Sequence, residues 1–123
     1  MEIDKNDLPS KADIKEFKML TPMVIGDLAE IRELSKKKQD EPLNNFKVKT
    51  INKKLQVIKR ILENEPTSQF LELLDNESLP SNSDAVLMVS QFLKAMEQFK
   101  SKYYIVDKTS REFKKPYYWN TKD

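Results

Sequence analysis

The sequence predicts an all-α fold: a small helical bundle of about three long and two short helices, with an irregular aromatic and basic C-terminal tail. Apolar residues recur at helical spacing along three long segments, which is typical of amphipathic helices packed around a common core. Alternation of period two, which indicates a strand, occurs only over residues 103–106. The chain of 123 residues has the length of one domain.

A proline is predicted to separate the first two helices. Ser10 can accept a hydrogen bond from an amide of the first turn, so a short helix is expected over 10–19. Thr21 is then a suitable N-cap and Pro22 a suitable first residue for a long helix over 22–38. The N–H that proline lacks would have no partner in a first turn anyway.

The clearest periodicity lies in the helix predicted over 45–64. Its main apolar residues follow a 3-4-3-4 spacing, the pattern of a helix packed along one seam. These residues are Val48, Ile51, Leu55, Ile58 and Leu62. A second apolar strip on roughly the opposite side is formed by Phe46, Val57 and Ile61. Because a helix that is apolar on two sides is usually covered on both, this helix is predicted at the centre of the bundle.

A short helix is predicted over 67–75 and a long one over 84–104, separated by a loop rich in turn and cap residues. Ser83 is the predicted N-cap of the long helix, whose apolar residues repeat at 4-3-4-3-4 spacing. These residues are Ala85, Val89, Phe92, Met96, Phe99 and Tyr103. Four residues of the two helices with clear periodicity are predicted to be deeply buried: Leu55, Ile58, Phe92 and Met96.

The chain changes character at residue 107, which divides it into a helical bundle domain over 1–106 and a basic, aromatic tail over 107–123. Four large rings occur within seven positions of the tail: Phe113, Tyr117, Tyr118 and Trp119. So much aromatic surface is unfavourable when it is fully solvated. The tail is therefore expected either to dock on its own bundle or to be covered by a partner.

The net charge of +2 conceals four blocks of alternating sign. Residues 1–35 carry a net charge of −3 and residues 36–62 one of +7, followed by −6 over 63–99 and +4 over 100–123. One interpretation is that neighbouring helices of opposite sign pack side by side and neutralise each other. The other is that the positive segments form a surface for a polyanion.

The composition excludes several classes of active site. The chain contains no cysteine or histidine, which rules out disulfides, zinc fingers and histidine-dependent catalysis. Two carboxylate pairs, Glu30 with Glu33 and Asp75 with Glu77, are interpreted as solvated surface rather than as cation ligands. We therefore predict a protein without cofactor, without metal and without enzymatic activity.

The remaining features favour a non-enzymatic protein–protein interaction or regulatory module, which binds a protein partner or self-associates. Tyrosine, tryptophan and arginine are typical of interface hot spots, so the tail is the predicted binding site. The predicted partner-binding residues are Phe113, Lys114, Lys115, Tyr117, Tyr118 and Trp119. The alternative is nucleic-acid binding, with Lys49, Lys53 and Arg60 contacting phosphates and the tail rings stacking on bases.

No segment has the pattern of a signal peptide or a membrane span. The longest apolar run, 85–89, is far shorter than the roughly 20 residues that cross a bilayer. A cytoplasmic location without membrane contact is therefore predicted.

Overall fold

Within the part of the chain that the structure describes, the architecture is a bundle of three α-helices with a two-stranded sheet at one end. The fold comes from a computed structural model, which describes residues 5–107 and 116–123. The helices are α1 (Lys11–Lys37), α2 (Asn45–Ile61) and α3 (Asn82–Tyr103), and the strands are β1 (Tyr104–Val106) and β2 (Tyr117–Trp119). Short 3-10 helices lie at Lys5–Asp7 and Pro66–Phe70. Over these residues the predicted helical bundle is correct in outline, but the predicted set of five helices is not.

A single helix, α1, replaces the two that were predicted over 10–19 and 22–38. It runs through Pro22 without a break, so the predicted boundary was wrong. Proline removes only one intrahelical hydrogen bond. Leu20 and Val24, on either side of the proline, are both buried in the core, and their burial offsets that loss.

The hydroxyls at the two predicted caps of this region have different roles. Ser10 caps α1 as predicted, because its hydroxyl accepts the amide hydrogen of Asp13 at 3.0 Å. Thr21 lies inside the helix, where its hydroxyl donates to the carbonyl of Phe17 at 2.7 Å. A threonine in a helix interior often forms this bond to the preceding turn, so Thr21 is no cap.

The segment predicted as a short helix over 67–75 is a 3-10 helix, Pro66–Phe70, followed by chain without regular secondary structure. The buried side chain of Asn52 explains why the helix does not continue to residue 75. Its Nδ2 donates to the carbonyl of Leu74 at 2.8 Å, and the amide of Leu74 donates to its Oδ1 at 3.0 Å. Both backbone groups of Leu74 are therefore bound to α2 and are not available for helical hydrogen bonds.

The long helix predicted over 84–104 begins earlier than expected. Its N-cap is Ser81, whose hydroxyl accepts an amide hydrogen of the first turn at 3.1 Å, and not Ser83. Asn82 follows as a buried residue, and its Nδ2 donates to the carbonyl of Lys38 at 2.8 Å. The start of α3 is thereby attached to the end of α1.

The core confirms the four residues predicted to be most deeply buried: Leu55, Ile58 and Phe92 are fully buried and Met96 is 2% exposed. The position predicted for the helix over 45–64 was wrong, because α1 rather than α2 is the helix that packs extensively against both others. Phe46, from the second apolar strip of α2, is 76% exposed. Periodicity located the buried face of α2 but overestimated how much of the helix is covered.

The sheet continues directly from the end of α3. β2 returns antiparallel to β1, with Tyr104 opposite Trp119 and Val106 opposite Tyr117. β1 coincides with the one stretch whose alternation favoured a strand. The tail was predicted to be irregular, and in its described part this was wrong, because cross-strand aromatic pairs stabilise a short strand there.

The last residues of the chain return to the start of α1. The amide of Lys122 donates to the carbonyl of Pro9 at 3.0 Å. The carboxylate of Asp123 accepts the amide hydrogen of Lys11 at 2.8 Å, at the helix end that favours negative charge. These bonds fix the position of β2 beside the bundle.

Candidate functional site

The partner-binding residues predicted in the tail fall into two groups. Tyr117, Tyr118 and Trp119 form β2. Phe113, Lys114 and Lys115 lie outside the described residues, and their contribution to a site stays a prediction. The described candidate site is therefore built from β2 and the elements that contact it.

Trp119 attaches β2 to the bundle. Its ring lies edge-on to Phe17 of α1 with 5.6 Å between centroids, and it also contacts Phe99 of α3 at 6.3 Å and Tyr104 of β1 at 5.1 Å. The tryptophan is half-buried against the core. Aromatic contacts of this kind add to the stabilisation from buried area, so Trp119 acts as an anchor.

The two neighbouring tyrosines stay accessible. Tyr117 is 51% exposed and Tyr118 is 46% exposed. The ring of Tyr117 stacks on Tyr104 with 5.5 Å between centroids and an interplanar angle of 9°. This stacking covers one ring face and orients Tyr117, while much of its remaining surface faces solvent.

These rings border a cleft of about 350 Å³, here called the aromatic cleft. Its lining residues come from α1, α3 and both strands: Lys18, Lys100, Tyr104, Tyr117, Tyr118 and Trp119. The Lys100 ammonium lies 5.4 Å from the centroid of the Tyr104 ring, within the range of a cation–π contact. No carboxylate lines the cleft among the described residues. Its chemistry suits groups that are aromatic, anionic or both.

A hydrogen-bonded cluster holds the last turn of α3, next to the cleft. The Tyr103 hydroxyl donates to the Glu65 carboxylate at 2.8 Å, and the Lys102 ammonium lies 3.3 Å from the same carboxylate. Burial and the bond to Glu65 raise the pKa of Tyr103. Burial opposes the charge on Lys102, yet the Tyr103 and Glu65 oxygens raise its pKa. This cluster supports the end of α3 from which β1 continues.

The basic face predicted on α2 is partly neutralised within the chain. Arg60 binds two carboxylates of α1, that of Asp13 at 3.1 Å and that of Glu16 at 3.2 Å. The hydrogen bond that Arg60 donates to the Asp13 carboxylate is the main cause that raises the pKa of Arg60. Lys49 and Lys53 are exposed and have no ion-pair partner among the described residues. The three predicted residues therefore do not act as one free cationic surface.

Two further ion pairs connect α1 and α2. Lys54 lies 2.6 Å from Asp27 and Lys47 lies 2.5 Å from Glu30. With the Arg60 pairs they form a series along two antiparallel helices, and the first two charge blocks of the sequence neutralise each other through them. Local neutralisation accounts for much of the charge pattern here.

Three of the four carboxylates considered for cation binding, those of Glu30, Glu33 and Asp75, have partners within the chain. Glu30 binds Lys47, and Glu33 lies 3.0 Å from Lys36. The Asp75 carboxylate accepts backbone hydrogen bonds from Ser78 and Glu77, which lower its pKa. Over residues 5–107 and 116–123, no group of three acidic side chains could hold a metal ion.

Sequence reasoning missed two lining residues of the aromatic cleft that carry its charge. Lys100 precedes Tyr104 by four positions, a helical spacing that brings two side chains together and could have identified the pair. Lys18 is distant in sequence, and only the packing of α1 against α3 brings it to the cleft.

Comparisons with protein-family models, curated proteins and solved structures found no match for this chain. None of the helices described is both long enough and apolar enough to cross a membrane.

Proposed function

We propose that this chain is a non-enzymatic protein–protein interaction module whose partner docks at the aromatic cleft. The observation that carries the proposal is the exposure of about half of two rings, Tyr117 and Tyr118, on a strand that Trp119 attaches to the core. An anchored strand that presents large, half-covered rings has the composition of an interface hot spot.

Binding at such rings has a low entropic cost. A tyrosine side chain has few rotatable bonds, and the Tyr117 ring is already stacked on Tyr104. Little freedom of the Tyr117 side chain therefore remains to be lost when a partner covers its ring. A flexible tail with the same rings would lose much more on binding.

Charge indicates the class of partner segment. Lys18 and Lys100 line the cleft without a carboxylate partner among the described residues. In sequence, Lys114 and Lys115 precede β2 closely. A partner segment with an acidic residue beside an aromatic or aliphatic one complements this surface, and the charges chiefly increase association rate and specificity.

Nucleic-acid binding remains the alternative, supported by the accessible Lys49 and Lys53 and by rings that can stack on bases. The ion pairs of Arg60 with α1 count against it, because they remove one of the three predicted phosphate contacts. With only Lys49 and Lys53 of the predicted face left unpaired among the described residues, few phosphate contacts form there, which predicts weak binding with a shallow dependence on salt.

The experiment that tests the proposal compares the double variant Y117A/Y118A with the control F70A in affinity purification, with proteins and nucleic acids identified in the same eluate. Phe70 is 70% exposed and does not line the cleft, so the control removes an exposed aromatic ring elsewhere. We expect a protein that is retained by the wild type and by F70A and is lost with Y117A/Y118A. If all three chains retain the same proteins, the aromatic cleft is not a partner site.

A second measurement separates the alternative. Fluorescence anisotropy of a labelled single-stranded oligonucleotide is recorded at low and high salt with the wild type, with K49Q/K53Q and with R60Q. Nucleic-acid binding predicts that K49Q/K53Q reduces the salt dependence and that R60Q changes it less. Absence of binding at low salt removes this alternative.

A further inference from the structure

The outward face of α1 carries a regular seam. Its six residues follow a 4-3-4-3-4 spacing, the spacing of a helix that packs along a partner helix. They are Lys15, Met19, Pro22, Gly26, Ala29 and Glu33, and all six are exposed. The core face of α1, with Phe17, Val24 and Ile31, points the other way. We call these six residues the α1 seam.

The four residues in the middle of the seam are uncharged and apolar: Met19, Pro22, Gly26 and Ala29. Met19 is 61% exposed, and the adjoining Met23 is 48% exposed. At Gly26 nothing lies within 4 Å of the place that a Cβ would occupy. A solvated helix face normally carries charged residues, so this section has the composition of a surface that another helix covers.

The ends of the seam carry opposite charges at equal distances from its centre. Lys15 and Glu33 are separated by 18 residues, which is five full turns, so both project in the same direction. If a second copy of α1 lies antiparallel, Lys15 faces Glu33 of the partner subunit, and the two-fold symmetry repeats the pair. A parallel arrangement would instead bring like charges together.

We propose that the α1 seam pairs with the same seam of a second copy of this chain, antiparallel and with two-fold symmetry. Gly26 and Ala29 allow the helices to approach closely, and a seam of this period fits a crossing angle of about 20°. This inference goes beyond the proposed function, because it concerns a different surface and a different partner.

The size of the seam sets the strength of the dimer. Nineteen helical residues span roughly 28 Å, and one helix face about 10 Å wide covers less than the roughly 800 Å² per subunit of a standard interface. The dimer is therefore weak and forms at elevated protein concentration. The Lys36 ammonium, 3.0 Å from Glu33 on an exposed surface, competes only weakly with the intermolecular pair.

Sedimentation equilibrium of the full chain tests the proposal, over a range from about 10 µM to about 1 mM protein. The variants are Lys15→Glu, Glu33→Lys, an equimolar mixture of these two, and the control Lys94→Glu. Lys94 is an exposed lysine of α3 with no ion-pair partner among the described residues. In the symmetric dimer, each of the two seam variants places like charges opposite each other at both ends of the seam. The association constant of the dimer therefore falls by about tenfold or more.

In the mixture, a heterodimer of Lys15→Glu with Glu33→Lys again has opposite charges at both ends of the seam, so association returns to the wild-type level. Lys94→Glu and the cleft variant Y117A/Y118A dimerise as the wild type does. Dimerisation through the seam and partner binding at the aromatic cleft can therefore fail independently of each other. A wild type that stays monomeric throughout the range, or a mixture that fails to recover association, overturns the proposal.

Discussion

The basic face of α2 and the aromatic cleft are two exposed cationic regions that differ in how much of their binding capacity the chain itself uses. On α2, Arg60 binds two carboxylates of α1. In the aromatic cleft, Lys18 and Lys100 have no carboxylate partner in the described chain. The first region therefore uses Arg60 to pair two helices and leaves Lys49 and Lys53 exposed, whereas neither lysine of the second is paired within the described chain.

The difference has a geometric cause. Two antiparallel helices place charged residues beside each other turn after turn, so a basic segment can be matched along its length by an acidic one. A two-stranded sheet at the end of a bundle can cover only one side of its rings. Trp119 therefore packs against the core while Tyr118 remains half-exposed.

The largest expected loss of stability is at the buried face of α2, and the exposed face of the same helix provides the control. Leu55 is fully buried, so Leu55→Ala removes core contacts and leaves a cavity, at a cost of about 2–5 kcal/mol. Lys53→Gln on the exposed face is expected to stay within about 0.5 kcal/mol of the wild type. Urea unfolding measures both, and similar losses in the two variants would show that α2 is not oriented as described.

The next effect tests the anchoring of the cleft. Trp119→Ala removes a half-buried ring with three aromatic contacts, and we expect a loss of roughly 1–3 kcal/mol. Tyr118 makes no aromatic contact with the core within the described part of the chain, so Tyr118→Ala, the matched control, should cost less than about 1 kcal/mol. Thermal unfolding that ranks the two variants in the opposite order would contradict the assignment of the anchor.

A smaller effect concerns the support of the cleft at the end of α3. Tyr103→Phe removes the hydrogen bond to Glu65 and is expected to lower the free energy of unfolding by about 1–2 kcal/mol. The Glu65 carboxylate then keeps only its ion pair with Lys102. Because the folded-state pKa of Tyr103 is raised, its contribution is present below pH of about 10 and is lost as pH rises through the raised pKa.

The contribution of Lys102 to stability changes with pH in the same direction. Its folded-state pKa is also raised, so this contribution is lost at high pH. The fall in stability above pH of about 10 should therefore be smaller in Tyr103→Phe than in the wild type, but not absent. Unfolding measured at several alkaline pH values checks this, and an unchanged slope would show that the hydroxyl does not matter there.

The smallest effect lies on the basic face of α2. Arg60→Gln removes exposed ion pairs with Asp13 and Glu16 and should cost less than about 1 kcal/mol, declining as salt rises. Lys49→Gln is the control and should have no effect at any salt concentration. If the two variants are indistinguishable at low salt, the pairing of Arg60 with α1 contributes nothing and the basic face is free.

Helical periodicity was sufficient to find the buried faces of α2 and α3, because the repeating apolar residues, such as Leu55 and Phe92, are the ones that pack in the core. It failed at Pro22, where the low helix propensity of proline predicted a break. The helix continues there, because the burial of Leu20 and Val24 outweighs the cost of the proline. It failed again at Leu74, because the bond from Asn52 joins residues that are distant in sequence.

The candidate site was predictable only in part. The composition of the tail identified Tyr117, Tyr118 and Trp119 as rings that require cover or a partner. It could not show which ring would be the anchor, since that depends on Phe17 and on the packing of α1 against α3. The ion pairs of Arg60 were equally inaccessible without the pairing of α1 with α2.

Trp119 anchors the strand to the bundle, while the neighbouring tyrosines stay accessible. Trp119 is the only tryptophan of the chain, so its fluorescence reports on this residue alone. In a dilute wild-type sample, where self-association is absent, we predict blue-shifted emission that is protected from a soluble quencher. Emission at the wavelength of a fully hydrated indole, with full access to the quencher, would show that Trp119 does not pack against the bundle.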